Sequence, residues 1–201
     1  ALGSGRSVLL AAHCLWCASR LHLPALHKDD HHRYLLSFWF TFLGTFGSGA
    51  LSAFLFMRPD LHPVPAMKDP RLLPFLVAAW YFVQYTYIGH RIMSASPVRL
   101  LCRLSTTLSR AGRICNNSEL AVALYPGVYG AQLVMGTVGG AGGKLACDTM
   151  KHCLGHLMDP AEVSLPGWSM RSGFLGSAVY LAFVHYLPEE LRLEPQQVSE
   201  W

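Results

Sequence analysis

Charge is what this sequence has least of. Its 201 residues include 16 Lys or Arg and 12 Asp or Glu, so charged residues make up 14%, where a soluble domain carries about 25%. With 52% hydrophobic residues beside it, that scarcity excludes a disordered chain and a soluble coiled coil. No collagen-like chain fits either, and an ordinary soluble enzyme is not expected. The sequence has no basic block and no interleaving of basic with aromatic residues, and its net charge is only +4, so a nucleic-acid partner is not expected. The six cysteines make no small secreted framework, because the chain is too long and too apolar to need one. No Ser-His-Asp or Cys-His set shares an identifiable pocket. The first apolar stretch contains charge and lacks a small-x-small cleavage site, so it is not read as a signal peptide.

The absences are concentrated. Residues 34–57, 72–90, 120–143 and 172–188 contain no Asp, Glu, Lys or Arg. A helix rising ~1.5 Å per residue needs about 20 residues to cross a hydrocarbon layer ~30 Å thick. Arg33 and Arg58 bracket the first run, Arg71 and Arg91 the second, Glu119 and Lys144 the third. Charges at the ends and none inside are what spanning helices require. Residues 7–26 form a weaker candidate with Arg20 near one end, able to snorkel. Residues 96–115 form another: Arg99, Arg103, Arg110 and Arg113 fall within about 80° of arc on a helix. The expectation is six helices in a single all-α transmembrane domain over residues 1–201, ending in a polar tail at 189–201. Tyr34, Trp168 and Tyr186 are expected as interface anchors.

Two echoes divide the domain. Gly44-Thr45-Phe46-Gly47-Ser48-Gly49-Ala50-Leu51 resembles Gly136-Thr137-Val138-Gly139-Gly140-Ala141-Gly142-Gly143-Lys144-Leu145, and Phe82-Val83-Gln84-Tyr85 resembles Phe183-Val184-His185-Tyr186. Duplication of a three-helix unit, about 7–93 and 96–188, explains both. An odd number of spans inserts the second copy upside down, giving a polytopic helical bundle with an inverted three-plus-three repeat, the plan of many transporters. Gly costs ~1 kcal/mol relative to Ala inside a helix, so both clusters require a reason. Close helix packing is one. Bending that frees carbonyls toward a water-filled path is the other, and the paired positions favour it.

With these pieces assembled, the sequence resembles the trimeric intracellular cation channel family over about residues 39–184. The resemblance is carried by Phe46-Gly47-Ser48 with Ala50-Leu51 and the turn at Arg58-Pro59, by Ala78-Ala79-Trp80-Tyr81, and by Ser96-Pro97-Val98-Arg99. Gly136-Thr137-Val138-Gly139-Gly140-Ala141-Gly142 and Ser169-Met170-Arg171 followed by Gly176 complete it. It implies an inverted repeat with glycine-kinked second and fifth helices and one extra helix. It further implies a homotrimer in the endoplasmic or sarcoplasmic reticulum, or another intracellular membrane, that conducts K⁺ or Na⁺ through each subunit. The sequence departs from the family where a Lys before the fifth-helix glycines becomes Gly139 and where fourth-helix charges become Thr106-Thr107. The seventh helix is not read after Leu187-Pro188.

The pore-lining and kink candidates are Gly44, Thr45, Gly47, Ser48, Gly49, Gly136, Thr137, Gly139, Gly140, Gly142 and Gly143. Carbonyls and hydroxyls there would replace part of an ion's water. The gating or lipid-phosphate candidates are Lys144, Arg99, Arg103, Arg110, Arg113 and Arg171. Arg99 and Arg103 are expected to face the interior, while Arg110 and Arg113 divide evenly between a pore face and the headgroups. No cofactor or metal is expected; an anionic phospholipid is the one candidate ligand. Cys14-Leu15-Trp16-Cys17 reads as structural, and His27, His31 and His32 beside Asp29 and Asp30 as a wet loop. The bilayer and monovalent cations are the expected partners. A non-conducting scaffold or lipid-binding homologue, or a small-solute carrier on the same repeat, are the alternatives.

Overall fold

A computed structural model describes residues 2–20, 32–56, 71–155 and 166–187. These residues are helical, in order α1 (Leu2–Arg20), α2 (Arg33–Phe56), α3 (Leu72–Tyr85), α4 (Tyr87–Ser94), α5 (Ser96–Leu124), α6 (Tyr129–Cys153) and α7 (Trp168–Leu181), the last continuing as a π-turn over Ala182–Tyr186. The polar tail and the histidine loop at 27–31 lie outside the described residues. The chain forms two compact units, Ala1–Phe46 with Val64–Ser109 and Gly47–Pro63 with Arg110–Trp201, so α2 and α5 each contribute one half to each unit.

In the first unit, α1 packs chiefly on α3. Cys14, Phe46, Leu76 and Ala79 form one buried cluster, and Ala18, Val83, Met93 and Cys102 another. Aromatic rings tie α2 to α3: Phe38 meets Trp80 edge-on at 5.5 Å between centroids, a geometry that adds about 1 kcal/mol beyond burial. The polar atoms inside this apolar unit are paired. The Trp80 indole donates to Ser37 Oγ at 3.1 Å, the Gln84 amide to the Ala18 carbonyl at 2.7 Å, and the Ser105 hydroxyl to the Leu9 carbonyl at 2.9 Å.

The expected single span over 72–90 is corrected: α3 and α4 meet at 90°. Thr86 makes the corner. Its extended backbone (φ −104°, ψ 133°) interrupts the helix, and its hydroxyl accepts from the Gly89 amide at 3.0 Å while donating to the Phe82 carbonyl at 2.6 Å. This is N-cap chemistry. A side chain at Gly89 would overlap the Phe82 carbonyl. Thr86→Ala is therefore expected to cost about 1 kcal/mol, read as a lower melting temperature of the detergent-solubilised protein.

In the second unit, α6 packs along α7, and Phe56, Ala121 and Met135 form the buried cluster. The run at 120–143 is also corrected. It is no single helix: Pro126 and Gly127, the latter at φ 77°, turn the chain between α5 and α6. The fully buried Gln132 seals this turn, its amide donating to the Tyr125 carbonyl at 2.8 Å. The arginine-bearing helix, expected to end at residue 115, runs on to Leu124. Among the described helices, Tyr34–Phe56 alone is long and apolar enough to cross a bilayer by itself; Leu72–Tyr85 with Tyr87–Ser94 is a second if the bent pair counts as one span. The remaining long helices, α5 and α6, carry charge on their faces.

Candidate functional site

The site is built on α2. Ser37, Thr41, Thr45, Ser48 and Ser52 are all buried, and their spacing of three and four places them within about 80° on one helix face. Several of these hydroxyls spend their proton on their own helix: Thr41 donates to the Ser37 carbonyl at 2.8 Å, Thr45 to Thr41 at 2.9 Å, and Ser52 to Ser48 at 2.7 Å. A hydroxyl so engaged still offers lone pairs. The face is thus a row of oxygen acceptors inside an apolar chain.

In the second unit, α5 supplies donors to this row. Arg113 Nη1 donates to Ser48 Oγ at 2.9 Å, and Asn117 Nδ2 donates to Ser52 Oγ at 2.6 Å and to the Met135 carbonyl at 3.3 Å. Arg113 and Asn117 stand one turn apart, as Ser48 and Ser52 do, so the two rungs are in register.

The glycines of α6 make the approach possible. A Cβ at Gly142 would lie 2.9 Å from Ser48 Cα, and one at Gly139 would lie 2.6 Å from the Arg113 carbonyl oxygen and 2.9 Å from Asn117 Nδ2. One at Gly140 would come within 2.8 Å of Ile114, and one at Gly136 would overlap the Ser118 and Ser177 hydroxyls. From α2, a Cβ at Gly47 would sit 3.1 Å from Ala146 Cβ and 3.4 Å from Gly143 Cα. These four α6 glycines cost about 4 kcal/mol in helix propensity. The return is backbone-level contact with α2, α5 and α7 on one helix.

Helix is continuous through both glycine clusters, Arg33–Phe56 and Tyr129–Cys153. An opening of the backbone out of helix at Gly44, Gly47, Gly49, Gly136, Gly139, Gly140, Gly142 or Gly143 is therefore not what these clusters do. Their ladder carbonyls stay in helical pairing, and the acceptors on the α2 face are side-chain hydroxyls. Gly44, Gly49 and Gly143 are half-buried, while Thr45, Ser48 and Thr137 are buried.

The order of the arginines is reversed. Arg99 and Arg103 are exposed, Arg103 resting over the Trp16 ring at 5.8 Å. Arg110 and Arg113 are half-buried and turned onto neighbouring helices. Arg110 donates to the Ser169 carbonyl and, at 2.9 Å, to Ser172 Oγ, fastening the start of α7. The reason is the partner surface: the α2 and α7 segments of the second unit offer acceptors to α5. Arg171 is exposed. Lys144 forms an ion pair with Asp148, one turn further along α6.

A model of the TRIC channel family matches residues 28–187. The chain belongs to the TRIC channel family. The Caenorhabditis elegans trimeric intracellular cation channel type 1B.1 is 28% identical over 113 residues, which is 55% of this chain and 37% of that protein. This TRIC chain thus aligns with little more than a third of the curated relative's length. A solved TRIC counter-ion channel, from work on calcium release, superimposes with a TM-score of 0.72 at 23% identity, covering 90% of this chain and 81% of the other. The C. elegans channel structures without and with bound Ca²⁺ both superimpose with a TM-score of 0.68. Their identities are 21% and 19%, covering 87% and 92% of this chain, and 76% and 82% of theirs. The fold is therefore the all-α membrane-channel fold of TRIC structures.

Three polar features of this TRIC chain were missed in the sequence. On α2 the hydroxyls of Thr45 and Ser48 were named with the glycines, but Ser37, Thr41 and Ser52, which extend them into a buried row, lie outside the glycine motif and were not. Glu119 was treated as a boundary residue, yet it lies within α5 and accepts from Tyr180 Oη at 2.7 Å while pairing with His185 Nε2 at 2.7 Å. Gln132 and Tyr186 join α6 to the π-turn by a hydrogen bond, with Tyr129 stacked edge-on against Tyr186 at 4.8 Å. Tyr180→Phe is expected to lower stability by about 1 kcal/mol, because Glu119 loses a charge-assisted donor; a thermal melt against Tyr186→Phe checks it.

Proposed function

We propose that this protein is a monovalent cation channel that passes K⁺ or Na⁺ through each subunit along the hydroxyl face of α2. The observation that carries the reading is the row of buried acceptors from Ser37 to Ser52, in a chain of a cation-channel family. Oxygen lone pairs at regular spacing replace part of a cation's hydration shell. Arg113 and Asn117 hold Ser48 and Ser52, so the conformation described is the closed one. Opening withdraws the guanidinium and gives its place to the ion. The reading includes three subunits, an intracellular membrane such as the endoplasmic or sarcoplasmic reticulum, an anionic phospholipid as bound ligand, and no enzymatic activity. Purified protein in K⁺-loaded vesicles tests it: K⁺ efflux collapsing an imposed gradient is expected, together with a native mass of three chains. Empty-vesicle rates of efflux overturn conduction, and a monomeric mass overturns the trimer.

A second reading has its own observation. The Ser48 and Ser52 acceptors are engaged by donors of the same unit, and the Lys144 charge is met by Asp148. A scaffold that has kept the fold and sealed the path fits this pairing. The same efflux assay separates the two.

A further inference from the structure

We propose that α4 (Tyr87–Ser94) is an interfacial helix that seats the first unit in an anionic phospholipid headgroup layer, with Ile88 and Ile92 turned to the acyl chains and Arg91 among the phosphates. The seat is independent of conduction and lies on an element that the hydroxyl face of α2 does not use. Its geometry begins with a mismatch of length. α3 (Leu72–Tyr85) has 14 residues, about 21 Å of helix, where the hydrocarbon layer is ~30 Å thick. α4 leaves it at 90°, so with α3 upright it adds no depth. The shortfall of about 9 Å falls within the roughly 5–10 Å to which interfacial helices sink.

The residues of α4 present different sides. Gly89 and Met93 are buried, and Met93 joins a core cluster with Ala18, Val83 and Cys102. By helical periodicity Ile88 and Ile92 form one flank of that buried edge and His90 and Ser94 the other, about 160° apart. Both flanks are exposed. Tyr87 and Arg91 stand between the flanks, away from the buried edge, and both are exposed. No uniform solvent suits such a surface. Water would leave Tyr85, Tyr87, Ile88 and Ile92, all exposed, as apolar surface around the corner. Hydrocarbon would strip the water from the Arg91 guanidinium. The headgroup boundary meets both demands at once. The sign of its charge follows from the sequence. Residues 70–118 contain no Asp or Glu, and Arg91, Arg99 and Arg103 of the first unit are exposed. An anionic layer is the partner such a stretch favours.

Nitroxide depth measurement in lipid nanodiscs tests the seat. The full chain is used in a Cys153→Ser background, because Cys153 is exposed while the other cysteines are buried or half-buried, and the background without an added cysteine supplies the baseline. A label at Ile88→Cys is expected to collide with oxygen and to be shielded from a water-soluble nickel chelate. A label at Ser94→Cys is expected to show the reverse, the ratio of the two accessibilities differing about threefold or more between the flanks. In discs of phosphatidylcholine with phosphatidylserine, Arg91→Gln is expected to raise nickel access at position 88 by up to about fivefold, the effect of one basic residue at an anionic surface. In phosphatidylcholine alone it is expected to change nothing. Nickel reaching both labels alike puts α4 in water and overturns the proposal. Shielding of both labels from both reagents, with broadening between labels of neighbouring subunits, means that a second copy covers the helix and overturns it as well. An Arg91→Gln effect that is the same in both lipids, or absent from both, overturns the assignment to anionic headgroups. A protein that seats this helix and carries no K⁺ overturns the channel reading and leaves the seat standing.

Discussion

Gly139→Ala is expected to cost about 3 kcal/mol or more and to remove most of the folded protein. The added methyl would lie 2.6 Å from the Arg113 carbonyl oxygen and 3.0 Å from its carbon. Neither atom belongs to a flexible side chain; both are fixed in the ladder of α5. The helices must part by several tenths of an ångström, which breaks the Asn117 bond to the Met135 carbonyl, and the methyl also presses on the Asn117 amide nitrogen at 2.9 Å. Overpacking costs typically 1–3 kcal/mol, and loss of a buried hydrogen bond adds to it. The control is Gly112→Ala on α5, where nothing lies within 4 Å of the new methyl. There helix propensity acts alone, and a gain of up to about 1 kcal/mol is expected. Melting curves of the two variants in detergent, read by size-exclusion elution, should move in opposite directions. Equal shifts would mean that the α6 glycines serve flexibility and not approach.

That contrast marks what the sequence could reveal. The charge-free run at 34–57 corresponds to α2 within a residue at each end, because a long apolar helix is bounded by where charge is tolerated. The run at 120–143 misled for a related reason: Pro126 and Gly127 are neutral, so a scan for charge reads through the turn they make. At Thr86 the sequence shows neither proline nor a run of turn residues. The corner depends on a threonine capping Gly89 three residues on, a pattern that occurs often without breaking a helix. The arginine periodicity was sound, since four arginines at that spacing share a face on any helix. Which pair turns inward was not legible, because that is decided by the acceptors on α2 and α7. The glycine echo pointed to the right helices. Its chemistry was closer to α2 meeting α6 at Gly47, Gly142 and Gly143 than to opened backbone.

Arg113→Gln is expected to raise K⁺ conductance about tenfold and to flatten its voltage dependence. The guanidinium donates to Ser48 at 2.9 Å, so a cation on that acceptor would stand within about 4 Å of a fixed positive charge. At an effective dielectric of about 20, repulsion at that distance is about 4 kcal/mol, ample for a tenfold effect after screening by water. A charge that moves across the whole field gains about 2.3 kcal/mol per 100 mV. On the channel reading proposed above, voltage that withdraws Arg113 opens the path, and removal of its charge removes the sensor with the block. The glutamine amide stops two bonds short of Nη1, so the Ser48 bond is lost together with the charge, and a charge-keeping variant separates the two effects. Arg113→Lys keeps the charge and should conduct at the wild-type level. Ser48→Ala, which deletes the acceptor, should lower conductance even in the Arg113→Gln background, since the ion then has one oxygen fewer. Wild-type channels that conduct while Arg113→Gln channels match them in conductance and voltage response would take the gate off α5.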